Sequence, residues 1–187
     1  MTDRLCPGGD LHAALAPYRT LLEQVDQLCG RIVTEFAGQI RCRAGCADCC
    51  ILQGVLPIEA ASLALAWRKL PVTEADRLSV QLQSAISGDR CPLLIDDRCP
   101  LYADRPIICR THGLPLLIEE PTATRVDRCP LNFTELTTLP GSAVIDLARL
   151  NQVLVVANRH FLTTCFPAGD LPERIPLRHI ADFPELS

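Results

Sequence analysis

The sequence predicts an α+β fold, mainly α, in which a helical frame surrounds a cysteine-rich region with one or two short β-hairpins. Three observations lead there. Apolar residues recur at helical spacing near both ends of the chain. Proline, glycine and acidic turn signals crowd the middle. Most of the eleven cysteines fall in that middle region. A chain of 187 residues, 48% hydrophobic, is expected to form a single domain over 1–187 with a real core. Within it, 41–130 is the cysteine region, and 11–40 and 142–165 are the framing helices. Aromatics make up only 4%, so Leu, Ile, Val and Ala must build most of the core.

Leu15, Tyr18, Leu22, Val25, Leu28, Ile32, Phe36 and Ile40 recur at steps of three and four. The spacing predicts one amphipathic helix over about 11–40, with Pro17 as a candidate kink and Arg19, Glu23, Asp26 and Arg31 on its polar face. The helix runs directly into Arg41-Cys42. Pro57 suits the first turn of a second helix through Leu70, ended by Pro71. Thr73-Glu74-Ala75-Asp76 resembles a capping box with Asp in the last place, opening a third helix to about Ser87 that Gly88 stops. Cys91 and Cys99 bracket an Asp96-Asp97 turn, so a hairpin would bring them together. Arg105-Pro106 could open a short helix holding Cys109. Leu114–Glu119 and Thr122–Val126 flank Glu120-Pro121 as a small hairpin. Ser142–Cys165 reads as a long apolar helix, and the proline-rich tail from Pro167 is expected to wrap the surface.

The formal net charge of −4 argues against nucleic acid as a partner. No stretch is apolar enough to span a bilayer, and Met1–Asp10 lacks the apolar core of a secretory signal. The expectation is a small, bacterial-type, cytoplasmic protein with no membrane partner; an unidentified protein partner is compatible with it.

Eleven cysteines are too many for an ordinary cytosolic chain, where structural disulfides are rare. An odd number also leaves one thiol free in any fully bridged monomer. Metal or redox chemistry is therefore the leading reading, with disulfides as the minority one. The densest motif is Cys42-Arg43-Ala44-Gly45-Cys46-Ala47-Asp48-Cys49-Cys50, four thiols in nine residues. Short spacers let one loop supply several thiolates to zinc or iron. The adjacent pair Cys49-Cys50 is awkward as two corners of one tetrahedron. It suits two sites, or two irons of one cluster, unless one of the pair is a core residue. Cys91, Cys99, Cys109 and Cys129 form a second group. Four plus four would fill two four-ligand sites, or one cluster with spare redox thiols. Cys6, Cys29 and Cys165 stand alone and read as small buried hydrophobes.

Arg41, Arg43, Arg98, Arg105, Arg110 and Arg128 surround these thiols and would lower their pKa values. Arg105 and Arg110, beside Pro106 and Cys109, are the candidates for supporting or binding a cofactor. His112 follows Cys109 by three residues and reads as a packing residue before a ligand. His12, His160 and His179 show no pattern. No phosphate-binding glycine loop, Ser-His-Asp arrangement or paired carboxylate stands out.

Cys42 to Cys50, then Cys91-Pro92-Leu93-Leu94, Cys99-Pro100-Leu101-Tyr102 and Arg105-Pro106-Ile107-Ile108-Cys109-Arg110, resemble the zinc- or iron-chelating cysteine-cluster family of the YkgJ type, written CxxCxxCC. The resemblance spans about 41–130, with a three-residue spacer between Cys42 and Cys46 in place of two. It implies metal binding through Cys42, Cys46, Cys49, Cys50, Cys91, Cys99 and Cys109, with Cys129 as the eighth. Members are sometimes named iron–sulfur oxidoreductases, and flagellin lysine N-methylases carry a related cluster. The expected function is a metal-binding protein, with a redox role in reach. An N-methylase-like enzyme and a zinc-stabilised adaptor are the alternatives, so enzymatic activity is left open. All-thiol ligation, the vicinal pair and the arginines tip the cofactor toward iron–sulfur, such as 4Fe-4S, over zinc. In this reading Cys46→Ser loses metal and stability together, and Cys165→Ser changes little.

Overall fold

Asp10 starts the first helix. Its carboxylate accepts the His12 N–H at 2.8 Å, satisfying one of the donors that a helix start leaves unpaired, and α1 then runs Leu11–Glu35. The structure is a computed structural model that describes residues 5–84, 90–169 and 171–184. Leu11, Leu15, Tyr18, Val25 and Ile32 form the buried stripe of α1, which packs against α5 (Leu147–Cys165) and α4 (Ile107–Thr111). The helix ends before residue 40. Phe36 leaves helical backbone to set its ring 5.6 Å from that of Phe133, and a 3-10 turn over Ala37–Gln39 follows. Gln39 then accepts the Phe133 N–H at 2.9 Å, which turns the chain toward the first cysteine loop.

Helix α2 (Pro57–Trp67) is buried on nearly every side, so it is the central element and carries no polar face. Helix α3 spans Val72–Ser84. Its start is set by Pro71, whose carbonyl accepts from Glu74 and Ala75. Thr73 therefore already lies inside the helix, and the expected capping box does not form. The predicted stop at Ser87-Gly88 lies outside the described residues.

Two small sheets complete the fold. β1 (Gly54–Val55) pairs antiparallel with β5 (Ile175–Pro176). β2 (Leu116–Glu120) pairs antiparallel with β3 (Ala123–Asp127), the predicted hairpin, and parallel with β4 (Ile145–Asp146). β4 corrects the expected start of the last framing helix. Residues 142–146 form a 3-10 turn and a strand, because Asp146 caps α5 by accepting the Arg149 N–H at 2.9 Å. Among the described residues there are five α-helices, with 49% of residues helical and 10% in strands, so the fold is α+β and mainly α.

The tail is the larger surprise. Ile175, Leu177, Ile180 and Phe183 are at most 1% exposed, so the segment plugs the core instead of lying over it. Phe183 packs on Phe166, which packs on Phe161. Half of the eight aromatics are fully inside: Tyr18, Phe133, Phe161 and Phe183 are among the largest fully buried side chains, whereas Tyr102 is 63% exposed.

Candidate metal centre

The first cysteine loop has turns but no ladder. Gly45 sits at φ +84°, a backbone region that disfavours a side chain, and the Cys46 N–H closes the turn on Arg43. Ala47, 4% exposed, is the buried residue of the loop, and Cys50 N–H bonds its carbonyl at 3.0 Å. Cys42 faces a second segment. Asn132, fully buried, donates from Nδ2 to Cys42 Sγ at 3.4 Å and to the Gly113 carbonyl at 2.7 Å, and its Oδ1 accepts the Arg41 N–H at 2.8 Å. Gly113 is also in the left-handed region, at φ +91°. A Cβ there would stand 3.1 Å from Cys42 Sγ and 3.7 Å from the Cys129 Cβ. Cys42 and Cys129 therefore meet over Gly113.

The second loop is a tight hairpin. Ile95 and Arg98 exchange backbone bonds at 2.9 Å, across Asp96 and Asp97 with φ of 50° and 59°. Asp tolerates that backbone better than most residues. The turn brings Cys91 and Cys99 together, as the sequence predicts, and Cys91 N–H donates to the Cys50 carbonyl at 2.7 Å. Cys109 rides on α4. The buried Glu59 of α2 accepts the Ile107 N–H on one oxygen at 3.1 Å and the Leu56 N–H on the other at 3.2 Å, tying the cysteine-bearing helix to the central one. Arg110, 8% exposed, donates to Asp26 and to the carbonyls of Ala103 and Arg105. Arg105 lies 4.1 Å over the Tyr102 ring.

The thiols feel one another. Burial pushes Cys109 up, and the charges of Cys91, Cys50 and Cys99 push it further. Burial takes Cys91 to about 11, with Cys99 and Cys50 adding to the rise. Cys99 is raised by burial and then by Cys50. Cys49 is taken to about 11 by burial, then by Cys50, Cys42 and Cys129. Cys50 is raised by burial, against a hydrogen bond from Cys49 and the field of Arg90. The expectation that arginines lower these pKa values is thus overturned for the five shifted thiols. The guanidinium fields of Arg90 on Cys50 and Arg105 on Cys99 are present, but desolvation of the thiolate outweighs them.

All eight predicted cysteines lie in this neighbourhood, seven of them half-buried and Cys42 exposed. The donors suit zinc or iron in chemistry and number, since both accept all-thiolate sets. Among the described residues no three His, Cys, Asp or Glu side chains already form a set that could hold a metal ion. Burial lowers the His112 pKa, consistent with a packing residue. Cys29 is buried and free, as expected.

Cys6 and Cys165 correct the sequence reading. Both are buried, and they are bonded to each other as a disulfide across 159 residues. The packing of α1 on α5 brings the two ends together. Gly8 lets the strands touch: its N–H bonds the Cys165 carbonyl at 3.1 Å, where a Cβ would sit 2.7 Å from the Thr164 oxygen. Spacing alone could not reveal such a pair. Asn132, Gly113 and Glu59 also escaped sequence reasoning; the only local hint is that Asn132 follows Cys129-Pro130 closely.

Residues 41–130 match the family model described as "CxxCxxCC: Putative zinc- or iron-chelating domain". No curated protein and no solved structure matches the chain. Among the described residues no helix is long and apolar enough to cross a membrane.

Proposed function

From the match of residues 41–130 to the CxxCxxCC family model, we propose that this protein binds zinc or iron through Cys42, Cys46, Cys49, Cys50, Cys91, Cys99, Cys109 and Cys129, and that the metal is held as iron–sulfur. One observation supports the reading: the Cys91 N–H bonds the Cys50 carbonyl at 2.7 Å, and Asn132, just after Cys129, donates to Cys42 Sγ at 3.4 Å, so the segments that carry these cysteines contact one another. Iron–sulfur is preferred because the donors are all thiols and cationic side chains lie nearby. Arg90 acts on Cys50 and Arg105 on Cys99, which would offset the negative charge of a thiolate-ligated cluster.

The chain's own residues do the positioning. Asn132 aims an N–H at Cys42, the Cys50 carbonyl holds the Cys91 backbone, and Glu59 holds the start of α4. Arg110 braces the segment 103–105 before Cys109, and Arg105 stands beside Cys99 as the supporting cation. A cluster so held would supply one-electron redox chemistry to a protein partner.

The test is elemental analysis with an absorption spectrum on full-length protein purified without oxygen. Iron with acid-labile sulfide and a broad visible band is the expected result. Zinc in whole-number amounts without colour would replace the cluster by a structural centre and favour the adaptor role. Folded protein with neither metal would overturn the proposal.

A further inference from the structure

In sequence the cysteines fall into a first loop, Cys42 to Cys50, and a later group, Cys91 to Cys129. The fold regroups them. The Cys91 N–H reaches the Cys50 carbonyl, and the Ile95–Arg98 hairpin folds Cys99 back toward Cys91. Cys50 therefore sits with the later loop. Cys129 does the reverse, since it meets Cys42 over Gly113 and lies beside Asn132, whose amide touches Cys42.

We infer that the eight thiols form two abutting four-cysteine centres that exchange one member between the loops: Cys42, Cys46, Cys49 and Cys129 in one, Cys50, Cys91, Cys99 and Cys109 in the other. The inference rests on the metal-binding reading above and assigns ligand sets that the family match leaves open. The mutual fields agree with the geometry. Every pair within Cys50, Cys91, Cys99 and Cys109 interacts, and Cys49 feels its chain neighbour Cys50 first and then Cys42 and Cys129. Cys46 acts on Cys50, but a four-coordinate centre that already has four thiols has no place for a fifth. Cys46 sits in the same loop as Cys42 and Cys49, so the other centre takes it. The adjacent Cys49-Cys50 pair is the seam. Neighbouring backbone positions only about 3.8 Å apart thus serve two centres without either chelating alone.

Stepwise removal of metal from the wild-type full chain tests this without any substitution. A chelator is added in increments, freed thiols are alkylated, and the labelled peptides are identified by mass spectrometry. The expected result is two stages, with Cys50 labelled alongside Cys91, Cys99 and Cys109, and Cys129 alongside Cys42, Cys46 and Cys49. Joint release of Cys42, Cys46, Cys49 and Cys50, or release of all eight in one stage, would overturn the regrouping. Metal content then provides a second reading in variants that keep a wild-type circular dichroism spectrum. Cys129→Ser with Cys42→Ser should lose no more metal than either alone, whereas Cys129→Ser with Cys99→Ser should lose both centres. A wild-type chain without zinc or iron would instead defeat the metal-binding reading itself, so the two failures are distinguishable.

Discussion

The side-chain amide of Asn132 donates to Cys42 Sγ at 3.4 Å while its carbonyl oxygen accepts the Arg41 N–H at 2.8 Å. One buried residue thus holds both the backbone that enters the first cysteine loop and the first sulfur in it. The third bond, to the Gly113 carbonyl at 2.7 Å, joins that loop to the segment after α4. An N–H at one end and a carbonyl at the other also fix which way the amide points.

Asn132→Leu keeps the volume and removes all three bonds. The Arg41 N–H would lose its partner and the Gly113 carbonyl would keep only the Cys129 N–H at 3.4 Å, so the variant should lose about 1–3 kcal/mol of stability, read from the denaturant midpoint. Loss of an N–H aimed at a ligating sulfur should also weaken metal retention about 10–100-fold against a competing chelator. Wild-type metal retention in a folded variant would show that the amide serves the fold alone.

The Cys6–Cys165 bond reverses the expectation that Cys165 is replaceable. Cys165→Ser should cost about 2–5 kcal/mol under oxidising conditions, because the bond closes a loop of 159 residues. Reduction of the wild type should produce the same shift, and Cys165→Ser should then show no further loss. Metal content should be unchanged, since neither cysteine is among the eight proposed ligands. Identical melting curves with and without a reductant would mean that the bond contributes nothing.

Glu59 gives a pH signature. Burial raises its pKa above the ordinary 4.5, although the Ile107 and Leu56 N–H groups pull it down. Between 4.5 and the folded-state value, the folded chain holds more protons at this site than the unfolded chain. Its contribution to stability is therefore most favourable below the unfolded pKa and is lost as pH rises through the folded one. Glu59→Gln has no proton to release and turns an amide N–H toward one of the two backbone donors. It should lose roughly 1–3 kcal/mol at low pH, with the wild-type advantage shrinking as pH rises through that window. An advantage that grows with pH would mean that the carboxylate is the favoured form.

Phe183 tests the tail. It is 1% exposed and rests on Phe166, so Phe183→Ala should cost about 3–5 kcal/mol in thermal or chemical unfolding. A loss below about 0.5 kcal/mol, the ordinary range for surface substitutions, would restore the surface-wrapping reading.

The sequence by itself determined the helical frame, the β2–β3 hairpin, the Asp96-Asp97 turn and the eight cysteines to consider. These are local properties, set by apolar spacing, turn residues and residue type. Tertiary structure decided the rest. It paired Cys6 with Cys165, drove Phe183 inward, and placed Asn132 on Cys42 and Glu59 on the start of α4. It also moved Cys50 toward Cys91 and Cys129 toward Cys42. Each of these joins residues from 41 to 159 positions apart, or depends on which face of the core a segment meets. Periodicity and spacing report what one segment prefers; which distant partner it finds is set by how the helices pack.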